Sequence, residues 1–277
     1  MMGSNTLSMA SDPMNALLMK KFGAKEASSC YEKLDLAATE FHKCVPDKVK
    51  MECGVSNAPS ATTTQPWNVV IANSAGNIHC GGVLICSSWV ISTASCLTKL
   101  EETVTDFPQI DMYIDITDAS NLSIATKLNV KRIVYNPLFT KNYFGRSRLI
   151  HDIVAIQIHT LTNMPICLPK LTGENVKIGE SIFSLGHGKF GSDLAQKAGN
   201  LKLGEFEAVK TSVCTEKYGD IDFSSSVCAS LANPAHNFEV CAGDNGGATA
   251  TYMDAWTLSG LISGGPEDCN LENIVSV

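Results

Sequence analysis

A chain of 277 residues, 44% hydrophobic and 18% charged, has enough apolar material for a sizeable core and the length for one large domain or two modest ones. Its net charge of -7 and the lack of any dense Lys/Arg run exclude a nucleic-acid partner; the densest run, KCVPDKVK, is short and broken by acid. No apolar run reaches the roughly 20 residues that a membrane-spanning helix requires.

In chain order, residues 24–51 are polar and helix-permissive. Within SSCYEKLDLAATEFHKC, Tyr31, Leu34, Ala38 and Phe41 recur at helical spacing, with Cys30 and Cys44 at the ends. This fits either a disulfide-closed hairpin or a solvated arm. GVSNAPSATTT follows, small and polar with one proline, the composition of a linker. After Gln65 the texture changes. WNVVIA, GGVLIC, SWVIST, KRIVY, DIVAIQIH, ESIFSLG and AWTLSGLIS are short runs rich in Val, Ile, Thr or aromatics, bounded by Gly, Asn, Ser or Pro. No long amphipathic helix alternates with them, so the main domain is predicted to be all-β, a barrel or sandwich pair. The boundaries that follow are an N-terminal arm over 1–52, a linker over 53–65 and a β domain over 66–277.

Eleven cysteines are scattered rather than gathered into CxxC pairs, the pattern of disulfides made in an oxidising compartment and not of a zinc site. The first residues, MMGSNTLSMASDPMNALLMKKFGAK, lack the continuous apolar core of a secretory signal. The cysteines weigh more, because their pairing is built into the fold, and they predict an extracellular, secreted protein.

QPWNVVI, HCGGVLI and SSWVISTASC, then HDIVAIQI, MPICLP, ESIFSLGHG, CAGDNGG, LSGLISGG and Cys269, stand in an order and spacing that resembles the trypsin/chymotrypsin-like serine peptidases. The resemblance implies two Greek-key six-stranded β-barrels. After Cys269 only NLENIVSV follows, so either the chain is a shortened product or the second barrel stands open at an edge. The resemblance also implies the disulfides Cys80–Cys96, Cys214–Cys228, Cys241–Cys269 and Cys53–Cys167. A further family bridge would need cysteines at Ile182 and Thr251, and both are absent together. Cys30 and Cys44 are then left for each other, and Cys86 for a free thiol or a bond to a second chain.

The chemistry of this family takes a serine hydroxyl, an imidazole to accept its proton and a buried carboxylate to orient the imidazole. Asp152 stands at the carboxylate position, Ser95 at that of the imidazole and Asn245 at that of the nucleophile. A carboxamide is no nucleophile for acyl transfer, and a serine hydroxyl is no general base near neutral pH. Loss of such a triad removes about six orders of magnitude of turnover. His79 and His151 lie near the cleft in the family layout but have nothing to deprotonate; with His42, His159, His187 and His236 they read as surface or strand-end histidines. None has the HExxH spacing of a zinc site.

Gly243 and Asn245 hold the oxyanion-hole positions. In the family, cleavage ahead of an IVGG-like sequence frees an amine that pairs with the aspartate at Asp244. GVSNAPSATTTQPW has neither a basic residue to cleave after nor that sequence, so Asp244 either finds another partner or stays solvated. The specificity-pocket positions are Glu239 at the floor with Ser263, Gly264 and Gly265, and Gly264 replaces the usual wall tryptophan. Asn121-Leu-Ser123 is an N-glycosylation sequon. The acidic DITDAS before it lies where some relatives hold calcium, but it lacks a full ligand set and reads as a solvated loop.

These readings predict a pseudo-enzyme without metal or cofactor. Its expected role is that of cofactor, decoy or regulator in an extracellular protease cascade, immune or reproductive. Its expected partners are proteins, among them active serine proteases, zymogens or inhibitors. The alternatives are a recognition protein for a microbial surface or glycan and, more remotely, a serine-type endopeptidase with unorthodox residues.

Overall fold

The computed structural model describes residues 53–55, 65–73, 76–103, 110–116, 118–143, 146–159, 161–169, 176–187, 199, 201–218, 226–232, 240, 243–264 and 273–276, all within the unit Met51–Val277. The N-terminal arm with its Cys30–Cys44 pairing, the pair Cys241–Cys269, His42, His236, Glu239 and Gly265 lie outside the described residues.

The first sheet is built from β1 (Asn68–Ala72), β2 (Ile78–Cys86), β3 (Trp89–Ser92), β4 (Asp111–Ile114), β5 (Thr126–Leu128) and β6 (Val130–Tyr135). A separate hairpin, β7 (Thr140–Tyr143) with β8 (Arg146–Ile150), precedes β9 (Val154–Ile158), which rejoins the sheet. The strand order is β5-β4-β1-β2-β3-β9-β6. The two outermost strands are separated only by Asn129, so one bent strand pairs with β4 at its start and with β9 further on, curling the sheet round on itself. Val154, Ile156 and Ile158 of β9 are buried in strict alternation, and β1 is buried throughout.

The second sheet comprises β10 (Ser181–Gly186), β11 (Lys202–Ala208), β12 (Val227–Leu231), β13 (Ala248–Tyr252), β14 (Trp256–Gly264) and β15 (Asn273–Ser276). It is a closed six-stranded barrel, β10-β11-β12-β15-β14-β13, with β13 pairing back onto β10. Its core gathers Ile182, Phe206, Ala208, Ala229, Val240 and Ile262. The reading of a barrel open at its edge is therefore corrected. β15 lies between β12 and β14, with Cys228 opposite Val275 and Ile262 opposite Ser276. Ile274 and Val275 suit a strand, but a four-residue strand with polar ends carries too little alternation to be recognised in sequence.

Two α-helices, α1 (Ala94–Thr103) and α2 (Thr211–Tyr218), and a single 3-10 turn at Leu122–Ile124 complete the described fold. Disulfides tie each α-helix to a strand: Cys80–Cys96 joins β2 to α1 and Cys214–Cys228 joins α2 to β12. Cys53–Cys167 pins the start of the linker. There Gly54, at φ 61°, donates to the Pro165 carbonyl at 2.8 Å and accepts from the Trp256 amide at 3.0 Å. A side chain at Gly54 would overlap the Trp256 backbone. Trp256 in turn packs 6.3 Å from Trp67 and edge-on to Phe183 at 5.4 Å, so aromatic rings join the two sheets.

Cys86 requires a second correction. It is neither a free thiol nor bonded to another chain: it is buried and disulfide-bonded. The other described cysteines pair among themselves, which places its partner outside the described residues. Spacing alone had offered it no mate.

Candidate functional site

β3 ends at Ser92, and after the buried Thr93 the chain enters α1, so Ser95 lies in the first turn of a helix that Cys80–Cys96 fastens to β2. From the other side, β8 runs into His151. His151 adopts φ 53°, unusual for a residue with a Cβ, and the Ile153 amide donates back to its carbonyl at 2.8 Å. Between them sits Asp152, 1% exposed.

The Asp152 carboxylate is fully engaged by neutral donors. The Ser95 amide donates to Oδ1 at 2.6 Å, the Ser95 hydroxyl to Oδ2 at 2.8 Å and the Ser263 hydroxyl to Oδ2 at 2.7 Å. Burial pushes its pKa above the usual carboxylate range, against the opposing pull of the Ser95 amide, the two hydroxyls and the Ala94 amide. Two of these donors are amides at the amino end of α1, where unpaired N–H groups and the helix dipole favour an anion.

Asn245 is held in a turn between Gly243 (φ 104°) and Gly246 (φ 83°). Its carbonyl accepts from the Gly81 amide at 2.8 Å, and Gly246 donates to the Ile262 carbonyl at 2.7 Å. A Cβ on Gly246 would overlap the Ser92 hydroxyl and the Gly81 carbonyl, and one on Gly81 would stand 2.7 Å from the Gly247 backbone. The turn of the second barrel thus lies directly on β2 of the first sheet. β14 connects it to the carboxylate: Ser263 bonds Asp152, while the adjacent Ile262 exchanges backbone bonds with Gly246 and Gly247.

The remaining sequence-selected residues divide. Asp244 is buried against Gly186, where a side chain would overlap its carboxylate, so the solvated alternative is excluded. His187 follows β10 directly, the strand-end alternative of its reading, and is buried rather than on the surface. Its Nδ1 lies 3.0 Å from the Gly199 carbonyl, and burial holds its pKa below the ordinary imidazole value. A lone histidine between glycines gives no sequence signal of that burial. His79 lies on β2, its pKa lowered by desolvation, and His159 is exposed. Asn121 is exposed and accepts from the Ser123 hydroxyl at 2.6 Å. Gly264 ends β14.

The bond from Ser263 to Asp152 was missed, because sequence placed Ser263 in the specificity pocket. The available signal was a hydroxyl at the end of the buried apolar run GLIS, where an unpartnered polar group is costly.

A curled sheet and a closed barrel, meeting at a glycine-rich junction beside a buried carboxylate, define a two-barrel β protein of the serine-protease type. The trypsin family model matches residues 55–277, and the chain belongs to the trypsin family. It is similar to Transmembrane protease serine 7 of Rattus norvegicus, 27% identical over 223 residues, which cover 76% of this chain and 25% of that protein. Vitamin K-dependent protein C of Mus musculus is 26% identical over 215 residues, covering 75% of this chain and 45% of the relative. The chain therefore spans between about a quarter and a half of the length of these relatives. Among solved structures, mouse neuropsin, a serine protease, superposes with a TM-score of 0.61 at 21% identity, covering 77% of this chain and 89% of that one. Among the described residues no helix is long and apolar enough to cross a membrane.

Proposed function

We propose that this chain is a non-catalytic member of its family, an extracellular pseudoprotease that acts by binding protein partners as a cofactor, decoy or regulator of active proteases. The observation that carries this reading is the occupancy of Asp152. Its Oδ2 receives the hydroxyls of Ser95 and Ser263, and among the described residues no imidazole bonds to it, which supports a carboxylate without its catalytic partner. Asn245 stands in the glycine turn where a nucleophile would, and its carboxamide cannot form an acyl-enzyme. What remains is a frame: a glycine junction, a rigid carboxylate network and the loops around them.

A fluorophosphonate probe, which forms a covalent bond with an activated serine, tests this directly. No stoichiometric labelling and no hydrolysis of peptide esters are expected from the full chain, before or after limited proteolysis. Stoichiometric labelling that is lost on changing Ser95→Ala would overturn the reading.

A further inference from the structure

Asn121-Leu122-Ser123 is the only Asn-X-Ser/Thr tripeptide in the chain, and the fold turns its two reactive members outward. It lies between β4 and β5, at the 3-10 turn Leu122–Ile124 that Asn121 caps. Leu122 and Ala125 pack inward against the buried cluster Val70, Ile116 and Ala119. The Ala119 amide donates to the Gly199 carbonyl at 3.0 Å, and the Asn121 amide to the Asp118 carbonyl at 3.3 Å. With Leu122 anchored, Asn121 and Ser123 on either side of it are exposed, as is Ser120.

The Asn121 side chain is held by its oxygen alone. Oδ1 accepts from the Ser123 hydroxyl at 2.6 Å and from the Ser123 amide at 3.3 Å. Nδ2 makes no hydrogen bond among the described residues. A group attached to Nδ2 therefore leaves both bonds to Oδ1 in place and meets solvent. Ile124, three residues on, is 76% exposed. The cap residue and the third residue of a helical turn stand on the same side, the geometry by which capping-box side chains meet, so the Ile124 side chain lies beside the Asn121 amide.

We propose that Asn121 carries an N-linked oligosaccharide whose first sugar rests on Ile124. The inference depends on the extracellular reading, because the glycosyl donor, a polyprenyl-pyrophosphate-linked oligosaccharide, is met in the secretory pathway. In the transfer Nδ2 bonds to the anomeric carbon and loses one proton. The bond from that carbon to the pyrophosphate oxygen breaks, and the polyprenyl pyrophosphate leaves with the electron pair; nothing is oxidised or reduced. The C–H face of the attached sugar then gives Ile124 an apolar cover. A bulky, hydrated oligosaccharide at this place also keeps the turn out of any buried protein interface, which confines partner docking to other faces.

The test is to express the full chain behind a cleavable secretory leader in a eukaryotic cell, release glycans with peptide N-glycosidase in heavy-oxygen water, and map the peptides by mass spectrometry. The Asn121 peptide is expected to bear N-acetylhexosamine and hexose before treatment and a heavy-oxygen aspartate after it. N121D, whose carboxylate still accepts from Ser123, and S123A are expected to be secreted without glycan, and S123T with it. Asn121 unmodified in the secreted parent, or a glycan that persists in S123A, would overturn the proposal. The protein purified from its natural source separates the site from the compartment: if it is unmodified while the leader-bearing chain is glycosylated, the acceptor is sound and the extracellular reading fails. Glycan removal is also expected to lengthen retention on a hydrophobic-interaction column more in the parent than in I124S; equal increments would refute the contact with Ile124.

Discussion

Replacing Asp152 separates the cost of its charge from the value of its hydrogen bonds. In D152A the Ser95 amide and the hydroxyls of Ser95 and Ser263, all now bonded to the carboxylate, lose their acceptor inside a nearly closed site. At about 1–3 kcal/mol per buried unsatisfied group, and with partial relaxation of the hydroxyl rotors, a loss of about 3–6 kcal/mol is expected. In D152N, Oδ1 keeps the Ser95 amide, and the new amide donates to hydroxyls that can turn to accept. The desolvated charge disappears at the same time, so D152N is expected within about 1 kcal/mol of the parent at neutral pH. The sign with pH follows from the direction of the shift. Burial raises the folded-state pKa of Asp152 above its unfolded value, so the folded chain binds the proton more tightly. That contribution favours the parent below the unfolded value of about 3.9 and fades as pH rises through the folded value. Denaturant melts of the parent, D152N and D152A between pH 4 and pH 7.5 read all three quantities. The reasoning is refuted if D152N is as destabilised as D152A, or if the parent loses ground to D152N on acidification.

Two further outcomes are expected. His187 has its pKa lowered by burial, with the Gly199 carbonyl and Asp118 opposing that shift and Lys202 adding to it; its contribution is complete above the ordinary value of about 6.5 and is lost as pH falls from there through the lowered folded-state value. The thermal midpoint should therefore drop between pH 7 and 5 in the parent and drop less in H187Q; parallel profiles would remove His187 from the account. G246A should cost about 2–4 kcal/mol, because a Cβ at φ 83° would also press on the Ser92 hydroxyl and the Gly81 carbonyl. A chemical denaturation midpoint unchanged from the parent would show that the junction is not tight.

The β character of the domain was legible because its central strands are runs of Val, Ile and aromatic residues buried on one face or both. NVVIA, WVIS and VAIQI needed no structure to be seen. KLGEFEA was passed over because Glu205 and Glu207 alternate with the inward Gly204, Phe206 and Ala208, a solvent-facing pattern interrupted by glycine. Ser95, Asp152 and Asn245 could be named because each lies in a short recognisable string of neighbours. The bond from Ser263 to Asp152 spans 111 residues; no local pattern encodes such a distance. Burial of His187 and the bonding of Cys86 were hidden for the same reason, since each depends on what the fold places opposite it.

The position of β15 bears on the order in which the molecule can be made. Every strand of the first sheet has been synthesised once Ile158 has emerged, but the second barrel waits for Asn273–Ser276, more than a hundred residues later. During that interval β12 and β14 have no strand between them, and each exposes a ladder edge that any other extended chain can occupy. A nascent chain stalled before Asn273 would thus present one curled sheet ready to fold beside a half-made neighbour, a species suited to chaperone capture and to mispairing with copies of itself.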